Sequence, residues 1–561
     1  MLQGENAVEK IWLKSYEEGV RAEVDVHAYA SVCAVFHESV RKFGNRPGFS
    51  NFGVTKTYAE TAALVNTFTS YLQNVLNIRK GDRVAVMMPN VLQYPVAVFG
   101  ILQAGGVVVN INPLYTPREL AHQLHDSGAT TIIVLENFAD TLESALAETD
   151  IKNVIITSMG DLLGGLKGAL MNFIVRKVKK MVPPHRIAHA IPFQAAMKQG
   201  MEKPFISVPL QLEDLAFLQY TGGTTGVAKG AELTHGNIVA NMQQAAEWIK
   251  SKLIDGKEVV ITALPLYHIF SLTVNLMIFT KHGAHNVLIT NPRDLPAFIR
   301  ELKRYPVSVF TGVNTLFNGL IHRHRFSTLD FSTWKIALGG GMAVQQGVAN
   351  EWKHITGIPI IEAYGLTETS PGVCVNPLNA TEYTGCIGLP IPNTDIEIRN
   401  EANEALGVGE AGELWVKGPQ VMRGYWRQPE ETAKAIDARG FFATGDIVMI
   451  RQDGYLRLID RKKDMIVVSG FNVYPNEVED VVSLMPGVLE VACIGEPNEK
   501  TGESLKLFVV KKDPALSQED IIAHCRKNLT AYKVPRNIEF CEELPKSNIG
   551  KILRKDLRKS A

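Results

Sequence analysis

Short apolar runs alternate with amphipathic stretches over residues 210–370, which predicts βαβ units around a parallel sheet. Leu215–Tyr220, Val259–Ala263, Val307–Phe310, Trp334–Leu338 and Ile358–Tyr364 read as its strands. Thr234 is placed to cap a helix in which Ile238, Val239, Met242, Ala246 and Ile249 share one face, and Asp294 to cap another. Residues 83–135 repeat the alternation and predict a second sheet. The most apolar stretch, Tyr94 to Asn112, is broken by Gln103, Gly105 and Gly106. It reads as buried core, because a membrane span would want about 20 uninterrupted apolar residues.

The unusual residues follow these strands. YTGGTTGVAKG comes after the first, LPLYH after the second, TGVN after the third and GGGM after the fourth, and YGLTE closes the fifth. Ligands of open parallel sheets bind beyond the carboxyl ends of the strands. Five such loops at one edge therefore predict a single composite site. Past residue 385 the texture turns to short strands with Gly and Pro turns, a small β-rich subdomain. Beyond Arg461 it becomes α+β, with a helix near Pro475–Leu484 and a hairpin across Val488–Lys511. The expected organisation is α/β: a large N-terminal domain over 1–460 with parallel-rich sheets and the β subdomain, a hinge at 461–464, and an α+β C-terminal domain over 465–561.

Composition narrows the partners. At 561 residues the chain outgrows one core. Its 58 basic and 58 acidic residues cancel, which argues against wholesale nucleic-acid binding. The first twenty residues carry acids and no continuous apolar run, so no secretory signal is read there. Six cysteines without CxxC or metal-ligand spacing read as reduced thiols, and the expected compartment is the cytoplasm. One tract stands apart. No acid occurs between Asp161 and Glu202, while Lys167, Arg176, Lys177, Lys179, Lys180, Arg186 and Lys198 do. Leu166, Leu170, Phe173, Ile174, Val178, Met181 and Val182 fall on one helical face there. Such a helix suits an anionic membrane surface, and equally the cationic outer side of an ordinary domain helix.

The loop Tyr220–Gly230 meets the needs of a polyphosphate. Gly222, Gly223, Gly226 and Gly230 let backbone N–H groups approach oxygen, Thr221, Thr224 and Thr225 add hydroxyls, and Lys229 adds a cation. It is not a Walker A loop, since Lys229 follows Ala228 and precedes Gly230. The loop resembles the signature of the adenylate-forming enzymes: acyl- and aryl-CoA synthetases, firefly luciferase and peptide-synthetase adenylation domains. YGLTE (Tyr364–Glu368), TGD (Thr444–Asp446), IDRKKD (Ile459–Asp464), SGFNVYP (Ser469–Pro475) and PKSNIGK (Pro545–Lys551) follow in that family's order. The likeness runs from about Tyr58 to the C-terminus.

The resemblance implies roles. Tyr220 through Gly226 and Lys229 would hold ATP phosphates. Glu368 would bind a Mg²⁺ that bridges them, with Thr224 and Thr367 as neighbours, because a hard cation prefers oxygen ligands. Tyr364 would stack on adenine, Gly365, Gly340 and Gly341 would form a close backbone wall, and Asp446 and Arg461 would take the ribose. Lys551 is similar to the lysine that enters the site for adenylation. Lys463 matches the hinge about which the mobile C-terminal domain of such enzymes turns, with Lys462 one register away, and Gly470 would line the path of coenzyme A. His268 would flank the acyl tunnel.

Arg439–Lys463 resembles the signature segment of fatty acyl-CoA synthetases, although RGFFATGD departs from the usual start. The implied activity is a bacterial long-chain fatty acid–CoA ligase, with Mg²⁺ as cofactor and fatty acid, ATP and CoA as partners. A medium-chain or aryl acid ligase, one that delivers to a carrier protein, and a non-catalytic fatty-acid-binding or uptake protein stay open. A long-chain acid partitions into bilayers, which tips the basic tract toward peripheral contact with the inner membrane. Dimers are common in similar enzymes, and a homodimer stays open too.

Overall fold

The computed structural model describes residues 10–221, 228–469, 471–498, 500–547 and 550–560. Two large sheets dominate. In the first, the strands Ile360–Gly365, Ile336–Gly339, Val309–Gly312, Val259–Thr262, His285–Leu288 and Pro47–Asn51 lie parallel in that spatial order, with antiparallel strands at both ends. In the second, Asn153–Thr157, Thr131–Leu135, Arg83–Met87, Val107–Asn110 and Leu215–Thr221 run parallel, and Lys229–Thr234 closes the row antiparallel.

The strand Leu215–Thr221 thus corrects the expectation of a single sheet edge. It belongs with residues 83–135, not with the four strands that follow it. Its backbone finds two partners there, the parallel edge of Val107–Asn110 and its own hairpin return at Lys229–Thr234. The chain then leaves through the helix His235–Ile249 and enters the other sheet. Thr234 caps that helix reciprocally with Asn237, and Ile238, Val239, Met242, Ala246 and Ile249 are buried. Asp294 likewise caps Leu295–Arg304 by accepting from Ala297 N.

The helix Gln93–Gln103 is buried along its whole length, as an apolar helix inside a large core should be. It packs on one sheet, and with the turn before it is bonded to the other: Asn90 of that turn donates to the carbonyls of Thr262 and Leu264, both at 2.9 Å, and the Tyr94 hydroxyl of the helix reaches the Leu266 carbonyl at 2.8 Å. Among the described residues no helix is long and apolar enough to cross a membrane.

An antiparallel sheet of Asp395–Arg399, Ala411–Lys417, Phe442–Ile450 and Leu456–Arg461 follows, where short strands were expected. A further sheet carries Phe471–Val473, Ile466–Val468, Gly502–Lys511, Val488–Asn498 and Asn537–Cys541, packed by the helices Pro475–Ser483 and Gln518–Asn528. Arg399 anchors the first of these. Its guanidinium lies 4.0 Å from the Trp415 ring centre and donates to Glu397 and Asp437, both at 2.8 Å. Removing one member of a buried ionic cluster strands the others. Arg399→Ala is therefore expected to cost about 3–5 kcal/mol, read as a lowered urea midpoint for the unfolding phase that contains this sheet.

Candidate functional site

Both large sheets present their carboxyl ends to one cavity of about 2050 Å³. From the first sheet, the strand Ile336–Gly339 leads into Gly340 and Gly341. A Cβ on Gly340 would stand 3.0 Å from the Ala363 carbonyl and 3.1 Å from the Phe270 ring, so a side chain there would have to push its neighbours back. The neighbouring strand ends at Gly365, where a Cβ would fall 1.9 Å from the Pro371 carbonyl oxygen. Only glycine lets the chain double back at this point. The tight turn Thr367–Thr369 that follows turns Thr367 and Glu368 to the cavity.

Glu368 Oε1 accepts from the Tyr425 hydroxyl at 2.9 Å, and the Glu368 carbonyl accepts from Met422 N at 2.7 Å. Burial raises the Glu368 carboxyl above its ordinary value, with Tyr425 and Arg461 acting against that. Tyr425 is a site residue that no sequence motif marked: it comes from a loop 57 positions away.

Tyr364 donates its hydroxyl to Asp446 at 2.6 Å, joining the large sheet to the small antiparallel one. Asp446 and Arg461 face each other in register on adjacent strands, and Arg461 Nε lies 3.5 Å from Asp446 Oδ1. Three residues expected around one nucleoside are therefore one connected group.

Of the phosphate-loop candidates, Gly222, Gly223, Thr224, Thr225 and Gly226 lie outside the described residues, as does Gly470. Their flanks are defined. Tyr220 spends its hydroxyl on Asp126 at 2.5 Å, a bond that roots the loop rather than one aimed at the cavity. Thr221 and Lys229 line the cavity; Lys229 pairs with Glu431 and lies 4.9 Å from the centre of the Tyr425 ring.

Lys551 also reaches this cavity. Its loop is tied by Ser547, which accepts from Lys551 N at 3.1 Å and donates its own N–H to the Lys551 carbonyl at 2.7 Å. Thr315 docks the loop by donating to the Gly550 carbonyl at 3.1 Å. Burial pushes the Lys551 ammonium down to about 7; the nearby Arg461 acts the same way and Asp446 opposes it. His268 lines the same space, and burial, with the Lys551 charge, holds its imidazole down at about 4. It is neutral near pH 7, and its ring nitrogen accepts from Phe270 N at 3.4 Å.

Around the hinge candidate the two basic neighbours differ. Lys462 donates to Glu413 at 3.0 Å and its N–H to the Gly445 carbonyl at 2.9 Å, both in the antiparallel sheet. Lys463 lines the cavity beside Asp464. A clamp missed in the sequence holds the last helix here. Arg554 donates to Glu479 at 2.8 Å and Asn476 at 2.6 Å, and its guanidinium lies 3.7 Å from buried Asp460; Arg558 reaches Asp464 at 2.9 Å. Arginines in a basic tail look like solvated charge until their acids are placed.

The cavity has a second character. Beyond Asn241 and Ala245 it runs between Trp248 and Ile249 of one helix and Val274, Ile278 and Phe279 of the facing segment, all apolar.

Two family models and several curated relatives match this chain. Residues 36–426 match the family model described as AMP-binding enzyme, and residues 477–551 the AMP-binding enzyme C-terminal domain. A long-chain-fatty-acid–CoA ligase of Yersinia pestis is 51% identical over 551 residues, 98% of each chain. A ligase of the same name from Bacillus subtilis is 35% identical over 552 residues, again 98% of each. The crystal structure of the anthranilate CoA ligase AuaEII with anthranoyl-AMP superposes with a TM-score of 0.84 at 24% identity, covering 95% of this chain and 97% of that one, a likeness of fold.

The depressed Lys551 value gives a direct test. Competitive acetic-anhydride labelling, read by peptide mass mapping, should show Lys551 becoming reactive as pH rises through about 7, whereas ordinary lysines titrate near 10.4. Arg554→Met should free the loop, returning the Lys551 midpoint toward the ordinary lysine value.

Proposed function

The chain belongs to the AMP-binding enzyme family, and from that premise we propose that it is a long-chain fatty acid–CoA ligase. In its first half-reaction a fatty acid carboxylate attacks the α-phosphorus of ATP, forming the acyl-adenylate and releasing pyrophosphate. In its second, the thiol sulfur of CoA bonds to the acyl carbon, the bond from that carbon to AMP breaks, and the thiol proton leaves to solvent. The observation that carries the reading is one cavity with two characters. Its polar end gathers Lys551, Arg461, Asp446 and Glu368, and its other end is an apolar slot.

Two anions must meet in the first step, so their charges must be offset. Lys551 would contact both the carboxylate and the α-phosphate, which its position on the cavity supports. Its lowered value does not disable it, since bound polyanions favour the charged form. Asp446 accepts from ribose hydroxyls, Arg461 reaches the same sugar, and Tyr364 gives adenine an aromatic face. Thr221 and Lys229 continue into the phosphate loop. Neutral His268 stands beside the acyl entrance and puts no charge against the slot.

Mg²⁺ fits the site. Glu368 turns a carboxylate to the cavity, and one of its oxygens accepts from the Tyr425 hydroxyl at 2.9 Å. That suits an ion which keeps several waters and substrate phosphate oxygens beside one or two carboxylates. Glu368 would hold it, with Thr367 and Thr224 alongside, and the ion would supply positive charge to the phosphates.

The second step needs the space that Lys551 fills, so one arrangement serves both steps poorly. Turning the C-terminal domain about Lys463 would withdraw Lys551 and bring Gly470 to the path of CoA. Lys462, tied to Glu413, would stay behind with the antiparallel sheet. A water-poor, long acid also suits peripheral contact with the inner face of the cell membrane.

The test is pyrophosphate release with Mg²⁺-ATP across acids from acetate to oleate, with and without CoA. Release peaking with long chains, and acyl-CoA as product, is the expected result; release with short or aromatic acids alone would overturn the substrate, and none with any acid the activity. Lys551→Ala should lose the first half-reaction by about a thousandfold while thiolysis of supplied acyl-AMP stays within about threefold. Ala245→Phe, which fills the slot, should shift the preferred acid to shorter chains, measured in the same assay.

A further inference from the structure

The helix Gly165–Phe173 and the wider π turn Ile174–Val178 that prolongs it carry their apolar side chains on the outside. Leu166 is 91% exposed, Leu170 59%, Phe173 57%, Val178 64% and Met181 49%. These residues form one ridge roughly 20 Å long at about 1.5 Å per helical residue. The π turn lags behind α-helical rotation, which keeps Val178 in line with Leu170. A water-facing helix ordinarily shows the reverse pattern.

The helix cannot roll to hide this ridge, because its inner face is pinned. Gly168 lies directly on Gly160: a Cβ on Gly168 would stand 2.4 Å from the Gly160 carbonyl oxygen, and one on Gly160 2.2 Å from that of Gly168. Gly160 N donates to Asn172 Oδ1 at 2.7 Å, and Val175 is buried. Arg176 turns inward to Glu136 at 2.6 Å and Ser158 at 2.7 Å. Its pairing also removes Glu136, the nearest buried acid, from the surface charge. Asp161 is turned to Thr157 and Ser158, at 3.0 and 2.8 Å.

Cations border the ridge. Lys177, Lys179 and Lys180 are exposed, and among the described residues none of them is in an ion pair. At the other end Lys167 lies close to Gly53, where a Cβ would meet its Nζ at 3.4 Å; the neighbouring Arg304 is paired with Glu301 at 2.9 Å. An exposed apolar ridge bordered by unpaired lysines is the chemistry of a helix that lies in the interface of an anionic bilayer.

We propose that residues 165–181 form a membrane-docking surface: the ridge inserts at the headgroup–acyl boundary of an anionic lipid bilayer, and the bordering lysines hold the lipid phosphates. The lipid surface is favoured over a protein partner by this charge complementarity along an acid-free tract. The proposal rests on the ligase reading only for why docking is useful, since a long-chain acid resides in the bilayer. The docking geometry stands without it.

The full-length protein is to be co-sedimented with vesicles of phosphatidylethanolamine and phosphatidylglycerol, and with phosphatidylcholine vesicles, at low and high salt. Binding to the anionic vesicles, weakened by salt, is expected. The variant Leu166→Ser/Leu170→Ser/Phe173→Ser should bind them at least about tenfold less, and Lys177→Gln/Lys179→Gln/Lys180→Gln about tenfold less at low salt only. Pyrophosphate release with oleate presented in non-ionic detergent micelles, without a bilayer, should match in all three proteins; its absence throughout, with the vesicle results unchanged, would fail the ligase reading and leave the docking surface standing. Equal vesicle binding by all three, or none by the parent protein, overturns the proposal. So does a serine variant that loses self-association in light scattering while its vesicle binding is intact, since the ridge would then join two copies of this chain.

Discussion

A buried chain of amides and one phenol sets the distance between the two large sheets, and the cavity depends on it. Tyr94 reaches Asn110 Oδ1 at 2.6 Å, Asn110 donates to Gln219 at 3.0 Å, and Gln219 donates to the Tyr267 carbonyl at 2.6 Å. Asn90 closes the chain by donating to two carbonyls of the other sheet and accepting from Leu266 N at 2.8 Å. Each buried polar group that lost its partner would cost about 1–3 kcal/mol, so the partners specify one register out of many that apolar packing would tolerate. Because Gln219 sits one residue before Tyr220, and Tyr267 one before His268, the same bonds fix the backbone from which Tyr220 and His268 meet the cavity. Packing alone would give two sheets with a greasy layer between them; the network gives two sheets whose loop-bearing ends meet.

The second constraint is electrostatic and belongs to the C-terminal part. Lys551, Arg461 and Lys463 approach one cavity, and Asp446 offsets only part of their charge. The Lys551 value below its ordinary range states what this arrangement costs. Folded with Lys551 docked, the chain binds fewer protons between about pH 7 and pH 10.4 than it would with that lysine in water. Docking is then favoured as pH rises through that window, and at lower pH the lysine docks most easily with an anion beside it. A polyanionic substrate is such an anion. On the proposed reading, the low value would make docking of Lys551 depend on the presence of the polyanion beside it.

What the sequence disclosed follows from how local each signal is. Thr234 and Asp294 cap within three residues of themselves, so their roles could be read directly. The loops after strands carry Gly, Thr and charged residues out of keeping with a core, and of the described ones the cavity gathers Thr221, Lys229, Gly340, Gly341 and Glu368. Sheet membership was less legible: Leu215–Thr221 and Val259–Thr262 look alike as apolar runs, and only their edge partners separate them. Tyr425, Asn110, Gln219 and Arg554 carry no motif, because each acts through a partner far along the chain. The face bearing Leu166, Leu170 and Phe173 was visible as a pattern; its direction was not, since that is decided by the bare contact between Gly160 and Gly168.

That contact also explains why an outward apolar ridge can persist in a stable fold. A ridge left in water forgoes burial worth about 25 cal/mol per Å², a loss that a freely turning helix would remove by rotating. Here rotation would push a glycine-to-glycine backbone contact apart, leave Asn172 without the Gly160 N–H, and strand Glu136 without Arg176. The last of these leaves a buried carboxylate unpaired, which outweighs what a few half-exposed side chains could regain. The inner polar bonds hold the outer apolar face where it is. A surface arranged in this way is preorganised: whatever covers the ridge recovers the forgone burial without first having to reorder the helix.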